Sequence, residues 1–532
     1  MINKKLCFGL MIAGVVALVT TIVSCDKTLD KTDPNAVTTD QYFKNSTELQ
    51  KAANSIYSTM HSLAIVGREW FFLHDTRSDE VASGGPQLEV PRFQLLTGVH
   101  DPTNSVMNTV WNGLYVMIHR ANTVIANGPN VTDNNVVRDR CVGEAKFLRA
   151  WAYFELVSMW GPVPMSVAPI ASPDQFQPRS KEDDLYTQIT KDLNDAIAVL
   201  PAKTGTDKGR ATKSAAYAML GRVLMQKGDY PNAKTALLAI PTVGADGYGL
   251  TARYLDNFEE ETEFNKESIF EVVFNDKGDN NFNWGGNGVG DDPAADQSTV
   301  RNQEYCAVAW RNLIPSDKYL DNFESTATGA TKSDPRFTFS VYKSGDLFNN
   351  GSETITDGSQ NGYSSTYHGV SPTKMSWRKY TIIYKEGLVN APAVASFHPG
   401  GDNQRMIRYA EVLLMLAECE NEANNIPGAL GYLNQIRDRA DVAMPHYPTT
   451  QFLCTNKAQV TAAIMHEKMS EMGCEEVRNI DILRWRKKGY FTTDPLPYFQ
   501  ANKHELLPIP QAEEDNNPKL GSAGVPKQNP GY

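Results

Sequence analysis

Cysteine is scarce in this chain of 532 residues: there are seven, at positions 7, 25, 141, 306, 419, 454 and 474. No two form a C-x-x-C pair and no spacing recurs, so neither a disulfide framework nor a zinc site is indicated. The nine histidines are scattered, and His466-Glu467 lacks the second histidine of a zinc-protease helix. No G-x-S-x-G elbow occurs, and Gly285 to Gly290 has neither a following Lys-Ser/Thr nor a strand-to-helix setting, which removes a phosphate loop. Asp276, Asp279, Asp291 and Asp292 lack the spacing of a dedicated calcium loop. No cofactor or metal is therefore expected. Basic residues fall short of acidic ones, 51 against 62, and the net charge of -11 disfavours nucleic acid as a partner. Beyond residue 23 no apolar run is long enough to span a bilayer.

The one long apolar run is at the start. Lys4 and Lys5 precede an uncharged stretch from Leu6 to Val23, the layout of a secretory leader. Ile22-Val23-Ser24-Cys25 resembles a bacterial lipobox, which makes residues 1–24 a signal peptide and Cys25 the lipidated first residue of the mature chain. Acyl chains partition into a bilayer at about 0.8 kcal/mol per buried methylene, so Cys25 reads as a tether to outer-membrane lipid, neither ligand nor nucleophile. Residues 25–36 mix Asp, Lys, Thr and Pro without periodicity and read as a flexible stalk. Most of the other five cysteines after Cys25 read as small buried apolar residues.

Helical periodicity dominates both ends of the chain beyond the stalk. Val110, Leu114, Met117, Ala121 and Val124 form one stripe ending at Gly128-Pro129. In the next helix Val137, Cys141, Ala145, Leu148, Ala152 and Leu156 form one stripe and Phe147, Trp151 and Phe154 a second, so it is expected to lie between other helices. Ser180 with Asp183 predicts a capping-box-like start for a helix running to Leu200. Leu220-Gly221, Leu224, Gly228-Asp229-Tyr230 and Ala233 echo the tetratricopeptide pattern, with Gly221 permitting close approach and Pro231 in the first turn of the second helix. A second pair is expected around the turn Asn424-Asn425-Ile426-Pro427. Such pairs stack to bury their apolar faces. The expected fold is therefore mainly α, with tetratricopeptide-like helical pairs forming a curved scaffold at about 37–267 and 404–532. A loop-rich variable region at about 268–403 contains short β-strands, and 37–532 reads as one domain.

In that variable region S-I-F-E-V-V-F (Ser268 to Phe274) and R-F-T-F-S-V-Y (Arg336 to Tyr342) alternate like strands. Long Gly/Asn/Asp/Ser stretches separate them, of the kind that is functional or disordered. Trp284 sits in one of these, where neighbours offer little to bury an indole against. A sugar ring has an apolar face that stacks on an indole or phenol and a hydroxyl rim that pairs with Asn and Asp. Asn283, Trp284, Tyr305 and Trp310 supply that mixture, and Trp70 with Asp75 forms a second candidate group. Core packing is the competing reading for each. Trp151, Trp160 and Trp485 lie in helical contexts, where packing is favoured. No catalytic residue set stands out, although a carboxylate pair assembled in three dimensions, as in a glycoside hydrolase, stays open.

Together these motifs resemble the SusD/RagB family of surface nutrient-binding lipoproteins, along the chain from the lipobox to the last residue. The matching stretches are Cys25-Asp26, R-A-N-T-V-I-A-N, E-A-K-F-L-R-A-W-A-Y-F-E-L-V-S-M-W-G-P-V-P, D-P-R-F at Asp334, I-R-Y-A-E-V-L-L-M-L-A-E, L-N-Q-I-R-D-R-A, R-N-I-D-I-L-R-W, L-L-P-I-P-Q-A-E-E-D-N-N-P-K-L and Q-N-P-G-Y. Where the family commonly has H-E-R-R and E-G-x-R, this chain has H-E-K-M and E-E-V-R, changed at Lys468 and Glu476. The resemblance implies a non-enzymatic binder on the cell surface that captures oligosaccharide, or in some members peptide, and delivers it to a SusC-like TonB-dependent outer-membrane barrel. A scaffold that only holds other proteins is the remaining alternative.

Overall fold

The computed structural model describes residues 42–275, 298–326, 328–329, 331–357, 374–385 and 400–532. Eight helices come first: α1 (Ser46–His61), α2 (Glu69–Asp75), α3 (Val90–Thr97), α4 (Ser105–Asn127), α5 (Asn135–Trp160), α6 (Glu182–Val199), α7 (Lys213–Lys227) and α8 (Tyr230–Leu238). Three short ones lie in the middle, α9 (Arg301–Tyr305), α10 (Asp317–Asn322) and α11 (Arg336–Ser340). The last five are α12 (Tyr409–Glu422), α13 (Ile426–Arg437), α14 (Lys457–Met472), α15 (Arg478–Lys487) and α16 (Gln511–Asn516).

Local chemistry sets the boundaries of the long helices. Asn45, Asn104, Asn134 and Thr212 each accept a hydrogen bond from a first-turn N–H, satisfying donors that have no partner inside the helix. The two stripes of α5 are both buried: from Phe147 to Trp160 no side chain is exposed, and the helix packs against α1, α4 and α6. The expected cap at Ser180 is not used. Ser180 donates its N–H to Val163 O beside the Pro164–Arg179 bridge, and α6 begins at Glu182 with no side-chain cap. Glu182, Asp183 and Asp184 in its first turn complement the helix dipole instead.

The two predicted helical pairs share one turn geometry. Gly228 (φ 84°) and Asp229 (φ -90°, ψ 68°) lead into α8, and Asn424 (φ 59°) and Asn425 (φ -92°, ψ 75°) lead into α13. In each, the Asp or Asn caps the second helix and a proline occupies its first turn. Ala233, Leu237 and Ile240 on one hairpin and Ala429, Leu433 and Ile436 on the other hold equivalent buried positions. At Gly221 a Cβ would stand 2.5 Å from Leu237 Cδ2, so the absence of a side chain is what lets α7 and α8 close.

Strands are few and paired in twos. β1 (Val81–Ser83) pairs with β3 (Leu313–Pro315), and β2 (Ser268–Val272) with β8 (Gln404–Arg408). β4 (Val341–Lys343) pairs with β7 (Met375–Trp377), and β5 (Leu347–Phe348) with β6 (Glu353–Thr354); all four pairs are antiparallel. The β2–β8 pair joins the two ends of the middle region. The strand expected over Arg336 to Tyr342 is corrected: its first five residues are α11, and only Val341–Lys343 is extended. Alternation misled because Arg336 points inward, where its guanidinium meets Asp334, Glu467 and Glu471 at 2.7, 2.6 and 3.2 Å.

One apolar core runs from Leu49 to Leu520 and holds α4, α5 and α7 together, and a second lies among α12, α13 and α14. The five cysteines from Cys141 onward are all buried and unpaired by disulfide, as the sequence indicated. Beside these cores lies a buried ionic lattice. Arg408 meets Glu267, Glu471 and Glu475 at 2.7, 2.7 and 2.6 Å, and Arg439 meets Glu267 and Glu471 at 2.8 and 2.6 Å. Burial pushes the Glu267 carboxyl up, but Arg439 and Arg408 override it and hold it at about 2. Lys468, which departs from the family pattern, keeps the ionic role by donating to Asp481 at 2.7 Å.

Candidate functional site

α9 has only five residues, too short to hold itself by helix hydrogen bonds, and its side chains pin it instead. Arg301 donates to Cys474 O (2.7 Å) and pairs with Glu476; Glu304 takes the Arg68 guanidinium (2.7 Å); Tyr305 donates its hydroxyl to Asp75 Oδ2 (2.5 Å). Asn302 Oδ1 accepts from the Ile382 N–H (3.0 Å). The loop after α9 folds back on this peg: Trp310 N donates to Gln303 O (2.9 Å) and Asn312 N to Glu304 O (2.7 Å).

Arg311, between them, takes a left-handed backbone (φ 55°) that costs a non-glycine residue about 1 kcal/mol or more. Its buried guanidinium offsets that by donating to Ser376 Oγ (2.7 Å) and Met375 O (3.0 Å) on β7. Burial brings its pKa down to about 10. Gly84 is threaded beneath; a Cβ there would lie 1.6 Å from Arg311 O, so only glycine fits.

The consequence is a clamped backbone around one tryptophan that is not buried. Trp70, Trp111, Trp151, Trp160, Trp377 and Trp485 are all buried, so Trp310 is the one tryptophan among the described residues that stays partly exposed. Gln303 Oε1 and Asn312 Oδ1, on the two residues whose backbone clasps the loop, are buried without a hydrogen-bond partner.

The rest of this layer is tied together around its loop roots. Ser298 Oγ donates to Asn275 O (2.9 Å), Thr299 and Gly400 exchange two backbone hydrogen bonds (3.0 and 2.8 Å), and Asn349 N donates to Ile383 O (2.7 Å). Residues flanking 276–297 and 386–399 thus meet beside α9.

Of the expected site residues that the structure describes, Trp310 alone is partly exposed. Trp70, Asp75 and Tyr305 are corrected to buried bracing residues, exposed by 4%, 1% and 0%. Trp70 donates Nε1 to Glu155 (3.0 Å), which also meets His74 (2.8 Å). Burial raises the Asp75 pKa, partly offset by Arg301 and the Tyr305 hydroxyl. These three support the peg from behind. Asn283 and Trp284, and the acids Asp276, Asp279, Asp291 and Asp292, lie outside the described residues. Sequence reading missed Arg311 and Gln303, whose contributions are a backbone angle and a buried acceptor that no motif marks. Among the described residues no group of three or more His, Cys, Asp and Glu is placed to hold a metal ion, and no helix is long and apolar enough to cross a membrane.

Comparison with known proteins covers both halves of the chain. The model of the SusD family matches residues 266–532, and one described as starch-binding associating with outer membrane matches residues 27–225. SusD-like protein P2 of Formosa agariphila is 25% identical, over 97% of this chain and 98% of that protein. A SusD-like protein of Bacteroides fragilis has the same fold, with a TM-score of 0.75 at 23% identity over 93% of this chain and 98% of that one. So does surface glycan-binding protein A of Bacteroides thetaiotaomicron, solved in complex with laminarihexaose, with a TM-score of 0.69 at 20% identity over 90% of this chain and 98% of that one.

Proposed function

Because this chain belongs to the SusD family, we propose that it binds oligosaccharide at the cell surface without transforming it and delivers it to a SusC-like TonB-dependent barrel in the outer membrane. The observation that carries this reading is the clamped Trp310 loop, whose tryptophan is the one among the described residues left partly exposed. A loop backbone already fixed in place loses little further freedom when a sugar stacks on its side chain, which favours binding. The matched family description supports an outer-membrane setting, and Cys25 supplies the anchor. Asn283 and Trp284 complete the proposed contact set from the adjoining segment.

Calorimetry with a panel of oligosaccharides, laminarihexaose among them, tests the site. Trp310→Ala is expected to weaken binding of whichever glycan is taken by about tenfold, or ~1.4 kcal/mol, with the melting temperature unchanged. Equal affinity in the variant, or binding of peptides in preference to every glycan, overturns the reading. The anchor has its own test: Cys25→Ala is expected to shift the protein from the membrane fraction to the soluble one and to abolish labelling by a fatty-acid probe.

A further inference from the structure

Outside its predicted apolar stripe, α4 carries Tyr115, Ile118, His119 and Asn122 at the spacing of a second helical face. The chain leaving α5 crosses this face and is fastened to it: Asn122 Nδ2 donates to Ser166 O and Ala168 O (both 3.0 Å), and the Tyr115 hydroxyl donates to Pro164 O (2.7 Å). With α16 these segments enclose a cavity of about 220 Å³. Ile118, Pro164, Ala168, Ile170 and Phe176 make its lining largely apolar. Among the described residues Glu513 is the one carboxylate of the lining, and no lysine or arginine lines it. Glu513 is partly exposed, and its Oε1 accepts from the Asn517 amide at 2.8 Å. Burial raises its pKa, and the groups that offset the rise are two neutral donors, Asn517 and the Trp111 indole. Arg179, which acts with Glu513 on the Tyr115 phenol, is occupied by Pro162 O (2.8 Å), Pro526 O (2.5 Å) and Asn529 Oδ1. His119 stands exposed at the rim. A carboxylate in apolar walls without a counter-charge is costly to keep ionised, and an ammonium brought to it offsets that cost through a charge-assisted hydrogen bond.

We propose that this cavity binds a small organic amine, whose primary ammonium donates to the Glu513 carboxylate and whose aromatic or aliphatic stem fills the apolar lining. An anionic ligand meets like charge, and an uncharged one leaves Glu513 without a counter-charge. A sugar finds few partners, because Tyr115, Asn122 and Ser166 already donate to the chain that crosses them. An apolar cavity of ~150 Å³ holds a benzene ring, so the larger volume here suits a ring with a short arm. No residue of the lining belongs to the layer that carries Trp310, so this inference stands or falls independently of the glycan reading.

The full-length mature protein is titrated with 2-phenylethylamine, followed by saturation-transfer NMR and calorimetry, with 2-phenylethanol and 3-phenylpropionate as the uncharged and anionic counterparts. Saturable one-to-one binding of the amine is expected, about tenfold tighter than the alcohol, with no binding of the acid. Glu513→Gln keeps an acceptor for Asn517 and removes the charge; it is expected to weaken the amine to the level of the alcohol and leave the alcohol unaffected. Ala168→Trp, a change at an exposed position on the cavity rim, is expected to block both. Thermal melts check that each variant folds, and Ala168→Trp with the three-ligand comparison carries the test if Glu513→Gln does not fold. Absence of saturable amine binding to the wild type overturns the proposal, as does equal affinity for the alcohol or the acid, or unchanged amine affinity in either folded variant.

Discussion

At Glu263 the fold holds a carboxyl that titrates near neutrality. Burial raises it to about 7, while the Asn403 N–H at 2.7 Å and Arg405 at 4.0 Å offset only part of that rise. A carboxyl raised above its unfolded value of 4.5 stabilises the fold fully below pH 4.5, and that contribution is lost as pH climbs through about 7. Glu263→Gln keeps the acceptor and removes the charge. The variant is expected to match the wild type at pH 4 and to be more stable at pH 8 by about 1–2 kcal/mol, allowing for partial solvent screening; urea unfolding at the two pH values measures it. Other single residues show how far sequence reading reaches. Trp310 was named in the sequence only as one member of an aromatic and amide mixture, and it is the member that stays partly exposed. Trp70 and Tyr305 had the same chemistry but different depth, because burial depends on which distant residues arrive, here Glu155 and Asp75. Glu476 was visible as a departure from a family glycine, and its φ of 59° shows why glycine suits the position. That its side chain reaches Arg301 was not visible, since the two stand in different regions of the sequence.

Helices and hairpins were the most legible level, because their signals are local. A stripe repeated every three or four residues requires no knowledge of the remainder of the chain, and α4, α5, α7 and α13 follow it. α11 was not legible because its reason for turning is the inward pull of a lattice of acids lying far along the chain. Two glycines test the hairpin account in opposite directions. Gly221 faces Leu237 across α7 and α8, so Gly221→Val overpacks a buried contact and is expected to cost about 1–3 kcal/mol. Gly431 lies mid-helix in α13, exposed, with nothing within 4 Å of the point where a methyl group would stand, so Gly431→Ala is expected to add about 0.5–1 kcal/mol. Thermal denaturation of the two variants reads both signs, and a stabilised Gly221→Val would show that the helices do not approach as described.

Across the whole molecule the ionic lattice links parts that the sequence keeps far apart. Glu267 ends the first helical region, Arg336 and Lys379 come from the middle layer, and Arg408, Arg439, Glu467, Glu471 and Glu475 come from the last. Apolar cores are non-directional and would tolerate some sliding between these parts. Charges that must each meet named partners in low dielectric would not, so the lattice sets their relative placement and thereby the position of the Trp310 layer on the scaffold. Arg408 is the junction, touching acids from both the first and the last of these regions. Arg408→Met preserves most of the volume but leaves Glu267, Glu471 and Glu475 facing one another with less positive charge between them. The expected loss is about 3–5 kcal/mol, because a buried pair broken on one side strands its partner. The loss should shrink as pH falls below 4.5 towards 2, since Glu267 is held near 2 by Arg439 and Arg408 and its stabilising contribution disappears over that interval. Unfolding monitored from pH 7 down to pH 2 distinguishes this account from simple packing, for a cavity left by arginine would cost the same at every pH.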